Sequence, residues 1–124
     1  MIMAEIYGSV LDLVLKKEPF DLMEAERKKL EYRAGGDWMA ARLVGKKYSH
    51  VKFRHAYASN APYFICRYVG YVVSKVEFYH RYPGGFTVFV KPGDFIIILG
   101  KIVERGNIIK NGEKQACADA LRRR

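Results

Sequence analysis

Three charged side chains, Lys28, Glu31 and Arg33, stand close together just before a glycine pair. A lysine can hold a phosphate or, where burial lowers its pKa, act as a base, and a glutamate can accept from an exocyclic amine or serve as a general base. Arginine presents a planar fork to a phosphate, a carboxylate or a base edge. Glu31 and Arg33 alternate along a segment that we expect to be extended, so they share one face and can form an ion pair. The alternative interpretation is a solvated edge strand that carries three charges.

The positive charge of the chain is concentrated in one stretch. Lys and Arg total 22 against 13 Asp and Glu, a formal charge of +9, and residues 38–76 hold seven of the basic residues and no acidic one. Aromatic residues are interleaved with them. Basic groups neutralise phosphates and aromatic faces stack on bases, so this mixture favours single-stranded or flipped nucleic acid. Half-buried strands, in which aromatic and charged residues also alternate, are the alternative.

The candidate ligand-binding residues of this stretch fall into two groups. Trp38 and Arg42 are four residues apart on a predicted helix and therefore share a face, although core packing is an alternative for Trp38. Lys52 and Arg54 lie on the wet face of a predicted strand, and Tyr57 follows it.

The elements that must position these residues are short. Strands are predicted at Ser9–Leu15, Leu30–Arg33, His50–His55 and Thr87–Val90, with two more in 63–79 divided at Gly70 and another after the turn at 91–94. A helix is predicted from Pro19 and a second at Trp38–Val44 with Asp37 as its N-cap. Six or seven short strands with two early helices predict an α+β domain around a small β-barrel, spanning residues 1–108, with a basic tail at 109–124.

Several classes of protein and site are disfavoured. No apolar run has the length of a membrane span, and the start of the chain does not resemble a signal peptide. The two cysteines, Cys66 and Cys117, are far apart, so a cytoplasmic location without a disulfide framework is predicted. His50 and His55, an odd number of residues apart, face opposite sides of a strand, which argues against shared ligation of a metal. No metal site and no other cofactor is predicted.

Lys28, Glu31 and Arg33 follow the K-x-x-E-x-R part of the signature G-x-K-x-x-E-x-R. With this motif and its order of elements, the chain up to about Asn107 resembles small stand-alone members of the ASCH domain family, including members encoded by phages and prophages. That family belongs to the PUA-like β-barrel superfamily. The glycine of the signature is Glu26 here, so we expect the turn from helix to strand to be made differently or to be displaced by one residue.

The resemblance implies a protein that binds nucleic acid or modified nucleosides in a cleft between the barrel and the early helices. The leading prediction is binding of RNA or a nucleotide-like ligand, with the signature residues as the cleft floor and Lys52, Arg54 and Tyr57 as an adjoining wall.

Two other functions stay open. One is an RNA- or nucleoside-processing enzyme with Lys28 and Glu31 as its acid–base pair. One branch of the family hydrolyses acetylated cytidine but uses a hydroxyl residue where Glu31 stands, so that amide hydrolysis is disfavoured, whereas ribonuclease activity stays open. The other is a phage-type interaction module whose basic face engages an acidic protein partner.

Overall fold

The computed structural model describes residues 8–108, so the basic tail predicted at 109–124 and Cys117 lie outside the described residues. Within residues 8–108 there are seven strands and two helices: β1 (Ser9–Val14), α1 (Lys17–Glu24), β2 (Leu30–Arg33), α2 (Asp37–Leu43), β3 (Tyr48–Arg54), β4 (Tyr63–Val73), β5 (Phe78–Arg81), β6 (Thr87–Val90) and β7 (Phe95–Gly106). Neither of these helices is long or apolar enough to cross a membrane.

Five strands form one curled sheet in the order β1-β3-β4-β7-β2, and β5 and β6 form a separate hairpin. β1 runs parallel to β3, whereas the other neighbouring strands are antiparallel. β7 is long enough to pair with β4 along most of its length and with β2 at its beginning. The prediction of a mostly-β domain with two short early helices is therefore confirmed. The main sheet curls into a half-barrel.

The two edges of the curled sheet meet at a side-chain contact. Val14 ends β1 and Arg33 ends β2, the strands at opposite ends of the strand order. Arg33 Nη2 donates to the backbone carbonyl of Val14 at 3.0 Å. Arg42 in α2 donates to the carbonyl of Asp12 on the same edge strand at 2.7 Å. These contacts satisfy edge carbonyls that no strand covers, and we call the place where β1 and β2 meet the seam.

One apolar core holds the helices against the sheet. α1 contributes Phe20 and Met23, and α2 contributes Met39 and Leu43. They pack with buried side chains from β1, β3, β4 and β7. Full burial of such a side chain stabilises the fold by about 1.5–3 kcal/mol, so both short helices depend on this packing and not on their length for stability.

The helices begin earlier than predicted. α1 begins at Lys17, so Pro19 is its third residue and not its first. A proline fits there because the N–H groups of a first turn have no partner within the helix. Asp37 is the first residue of α2 and not its N-cap, which is Gly36 with φ 135°. The Asp37 carboxylate still lies in the first turn, where it complements the helix dipole.

The division of residues 63–79 into two strands is right, but its place differs from the prediction. β4 continues through Gly70, which has φ 154° and lies at an irregularity of the register, as in a β-bulge. The chain reverses only after Val73. β7 pairs with β4 on both sides of the bulge, and this continuous pairing explains why one glycine does not end the strand.

Candidate functional site

The turn between α1 and β2 has the hydrogen bonds of a Schellman motif. Glu26 N–H donates to Met23 O at 2.9 Å, and Arg27 N–H donates to Leu22 O at 2.8 Å. The residue after the helix C-cap in this motif takes a left-handed backbone and is usually glycine. Glu26 occupies that position with φ 61°. Glu26 therefore adopts a backbone conformation that a glycine favours at this position.

The turn delivers Lys28, Glu31 and Arg33 into one ion-paired group, which we call the seam triad. Lys28 Nζ donates to Glu31 Oε1 at 2.8 Å, and Arg33 Nε donates to Glu31 Oε2 at 2.8 Å. Lys28 also donates to the carbonyl of Leu30. The predicted Glu31–Arg33 pair on one face of an extended segment is thus present. It is not a solvated edge, because the side chains of Lys28, Glu31 and Arg33 are 1%, 7% and 22% exposed.

Burial sets the electrostatics of Lys28. Loss of solvation lowers the pKa of the ammonium from its ordinary value, while the charge and hydrogen bond of Glu31 act in the opposite direction. The ammonium also lies over the rings of Tyr32 and Tyr82, 5.5 and 5.7 Å from their centroids, distances at which a cation is attracted to an aromatic face. Lys28 is therefore held by a carboxylate, a carbonyl and two rings.

The β5–β6 hairpin packs on this group through aromatic side chains. The Tyr32 hydroxyl is hydrogen-bonded to His80 Nδ1, and the His80 ring stacks on Tyr82 with centroids 4.0 Å apart. Burial, and next the neighbouring Tyr32 hydroxyl, raise the pKa of Tyr82. Within residues 8–108, the buried Tyr82 hydroxyl has no partner at good hydrogen-bonding geometry. The hairpin thus forms a wall beside the seam triad.

Arg33 lies where three depressions meet. The hairpin cleft, about 490 Å³, lies between the seam triad, the segment after β1 that includes Lys16, and residues 86–89 of the hairpin. The helix cleft, about 360 Å³, lies between β1, α2 and the end of β3. The third, about 430 Å³, lies along residues 33–39 at the start of α2. Arg33 is among the lining residues of all three.

The helix cleft gathers basic and aromatic side chains around one acid. Arg54 makes a bidentate pair with Asp12, with Nε–Oδ1 3.1 Å and Nη2–Oδ2 3.0 Å. The Arg42 guanidinium lies 5.1 Å from the Trp38 ring centroid. Trp38 and Tyr57 are 68% and 81% exposed. Three arginines, Arg33 included, and one acidic residue line this cleft, so its lining carries an excess of positive charge.

A turn after β6 fixes the backbone that follows Arg33. The Asp94 carboxylate accepts from the N–H groups of Lys91 at 2.9 Å and Gly35 at 3.0 Å, and these hydrogen bonds lower the pKa of Asp94. Gly35 passes so close to this turn that a Cβ would lie 2.2 Å from the carbonyl oxygen of Gly93. A side chain at Gly35 would therefore displace the link between Arg33 and α2.

Most of the predicted site residues come together, with one exception. Arg54 and Tyr57 line the helix cleft together with Trp38 and Arg42. Lys52 is on the same face of β3 as Arg54 but is not part of that lining, and its Nζ lies 4.4 Å from the Tyr63 ring centroid. Its predicted place in the ligand-binding wall therefore stays a prediction. Trp38 is exposed, so its alternative role in the core is wrong.

Sequence reasoning missed Asp12, Lys16 and the aromatic wall of the hairpin. Asp12 had one visible signal, since it interrupts the apolar run of β1. Tyr82 and Phe89 had none, because they approach the seam triad only through the folding of a distant hairpin.

Metal ligands are not grouped anywhere in the described part of the chain: no three His, Cys, Asp or Glu side chains lie together. Comparisons of the whole chain with protein-family models, with curated proteins and with solved structures found no match.

Proposed function

We propose that this protein is an ASCH-type, PUA-like domain that binds RNA or a nucleotide-like ligand through the two clefts beside Arg33. The relationship is supported by the K-x-x-E-x-R residues, which pair with one another at the start of a curled sheet. It is supported further by Glu26, whose left-handed backbone stands where the signature has glycine.

The presentation of Arg33 is the observation that carries the proposal. Two of the five N–H groups of its guanidinium are bonded to Glu31 and to the Val14 carbonyl within residues 8–108. These two bonds hold the plane of the group, and the remaining N–H groups are available to a ligand in the adjoining clefts. A fork held in this way suits bidentate recognition of a phosphate or a base edge.

The surroundings of Arg33 fit the same ligand class. Arg42 and Arg54 supply positive charge for phosphates, and Trp38 and Tyr57 supply exposed aromatic faces for bases. Single-stranded nucleic acid matches both features, because it offers planar bases to the aromatic rings and anionic phosphates to the arginines.

The test uses Trp38 as a reporter, because it is the only tryptophan of the chain. We expect a short single-stranded RNA to quench its fluorescence, with an affinity that falls steeply as salt rises, since each neutralised phosphate releases condensed counterions. The matched pair of variants is Arg54→Ala and Lys52→Ala, which remove the same charge from one strand. Arg54→Ala should weaken binding several-fold more than Lys52→Ala. Affinity independent of salt, or equal effects of the two variants, would refute the proposed interface.

An enzyme that processes RNA or nucleosides is the second candidate, and the state of Lys28 favours it. Its pKa is lowered and it lines the hairpin cleft, which are properties of a lysine that transfers protons. The catalytic roles of Lys28 and Glu31 stay a prediction. Product analysis on RNAs and on acetylated or alkylated nucleosides tests them, and Lys28→Met should reduce any turnover about 10²–10⁴-fold. Binding without product would leave the binding function alone.

The third candidate function, binding of an acidic protein partner, is distinguished from RNA binding by a competition experiment. An acidic peptide of the same charge as the RNA should displace it poorly if bases stack on Trp38, and fully if only charge is recognised.

A further inference from the structure

Two aromatic rings form an exposed stack on the β5–β6 hairpin. Tyr79 and Phe89 lie directly opposite in the register of the two strands. Their ring centroids are 4.7 Å apart at an interplanar angle of 32°, and the residues are 71% and 40% exposed. The opposite face of the hairpin, with Phe78 and His80, packs on Tyr32. The Tyr79–Phe89 pair, which we call the hairpin platform, therefore faces outward on a hairpin that is already anchored by its other face.

The hairpin platform is continuous with the clefts described above. Phe89 itself lines the hairpin cleft, opposite Arg33 and Lys28. Arg33 also borders the helix cleft, where Trp38 is exposed. Arg33 therefore borders two clefts that each include an aromatic residue, Phe89 of the hairpin in one and Trp38 of α2 in the other.

Charge decides which occupant suits this arrangement. Lys16 and Lys28 line the hairpin cleft together with Arg33, and Glu31 is the acidic residue among its lining, where Lys28 and Arg33 already neutralise it. Arg81 is exposed and is the register partner of Thr87, and both residues lie on the same face of the hairpin as the platform. An apolar protein surface would cover the rings but would leave Lys16 and Arg81, which are exposed, without an anionic partner. A chain that alternates anionic and planar groups satisfies both.

We infer that the ligand is a single-stranded nucleic acid of several nucleotides that crosses the seam, with one base on the Tyr79–Phe89 pair and another at Trp38, and not a free nucleotide. This inference rests on the proposed function and deepens it. Each surface can stack a base without reading its identity, because every base has an aromatic face. Arg33 lies between the two stacked positions, where the backbone phosphates of the strand pass.

The test measures affinity against oligonucleotide length. Single strands of one to about ten nucleotides, as RNA and as DNA, are titrated against the full chain with Trp38 fluorescence as the readout. We expect affinity to rise from mononucleotide to oligomer. Tyr79→Ala should lower the affinity for the oligomer by at least about fivefold and leave the mononucleotide unchanged, since loss of one stacked base has an effect of that order. Tyr79→Phe should retain the wild-type affinity because it keeps the ring.

Two controls make the result interpretable. Val69→Ala removes another exposed apolar side chain, on β4, and should change nothing. An abasic strand of the same length tests whether bases are needed, and it should bind the wild-type protein at least fivefold more weakly. Equal affinity for the abasic strand, or for the oligomer after Tyr79→Ala, would overturn the inference while leaving the proposed function intact if Arg33→Ala still weakens binding. If the wild-type protein shows no salt-dependent binding to any strand, both the inference and the proposed function are refuted. Stronger binding of RNA or of DNA supports the inference and identifies which kind of strand binds to the platform.

Discussion

The site has a buried half and an exposed half, and they are built in opposite ways. In the buried half, Lys28 and Glu31 are almost completely covered, and each charge is met by a partner at 2.8 Å. In the exposed half, Trp38 and Tyr57 face solvent, and the pair of Arg54 and Asp12 is partly open to water. Charges in the buried half are strongly coupled to folding, whereas those in the exposed half are screened and free to exchange partners.

This difference separates positioning from binding. The residues that form the recognisable motif hold the edges of the sheet together and aim one guanidinium. The residues that would contact most of a ligand lie outside the motif, on α2, on the end of β3 and on the hairpin. Arg33 belongs to both halves, since it is bonded to Glu31 on one side and borders the clefts on the other.

The largest change in the free energy of unfolding is expected when Glu31, the acidic residue of the buried half, is replaced. Glu31→Ala leaves the Lys28 ammonium buried without a counter-charge, so the free energy of unfolding should fall by about 3–5 kcal/mol in urea melts. The double variant Lys28→Met/Glu31→Leu should recover much of this loss, because it removes both charges.

The matched control for that change is Asp21→Ala. Asp21 pairs with Lys17 at the same 2.8–2.9 Å range of separation as the seam triad, but on the solvated surface of α1. Its loss should change the free energy of unfolding by about 0–0.5 kcal/mol. Similar losses for Glu31→Ala and Asp21→Ala would show that the two halves do not differ as described.

A smaller effect is expected from Tyr82 in alkaline solution. Folding raises the pKa of its hydroxyl, so above about pH 10 the unfolded state holds fewer protons than the native state. The free energy of unfolding therefore falls with rising pH, by up to about 1.4 kcal/mol per pH unit from this residue. Tyr82→Phe should lose less stability between about pH 9 and pH 11. Parallel curves for the two proteins would contradict the burial of this hydroxyl.

The smallest expected effect is an increase in stability. Glu26→Gly relieves a left-handed backbone that costs an ordinary residue about 1–2 kcal/mol, and the greater flexibility of glycine in the unfolded chain offsets part of this. Thermal melts should show stabilisation by about 0.5–1 kcal/mol. Arg27→Gly, one residue later, should instead destabilise by about 0.5–1 kcal/mol. A loss at Glu26 would show that its side chain contributes more than its backbone conformation costs.

Much of the local structure follows from the sequence, because it depends on neighbours along the chain. Alternation predicts that Glu31 and Arg33 share a face, and helical spacing predicts that Trp38 and Arg42 do. Both predictions agree with the contacts observed. The bounds of the elements are less predictable, as Asp37 and Gly70 illustrate, since tertiary pairing decides whether a capping residue or a glycine ends an element.

The assembly of the site could not be predicted in the same way. Arg33 reaches Val14 only because three strands lie between β1 and β2 in a sheet that curls. Lys28 is buried because Tyr82 folds over it from a hairpin much later in the chain. Lys52 and Arg54 have the same charge and lie on the same strand face, so the sequence pattern does not distinguish them, whereas in the structure only Arg54 is among the residues that line the helix cleft.

The most direct test of the account compares Arg33 with Lys29, an exposed lysine at a variable position of the motif, next to Lys28. Affinity for a short single-stranded RNA is measured for Arg33→Ala, Arg33→Lys and Lys29→Ala, each first checked for a cooperative unfolding transition. Arg33→Ala should weaken binding more than tenfold, about 1.4 kcal/mol or more. Arg33→Lys should restore only part of it, because a point charge lacks the bidentate fork, and Lys29→Ala should change affinity little. Equal losses at Arg33 and Lys29 would contradict the account, because they would reduce the motif to surface charge.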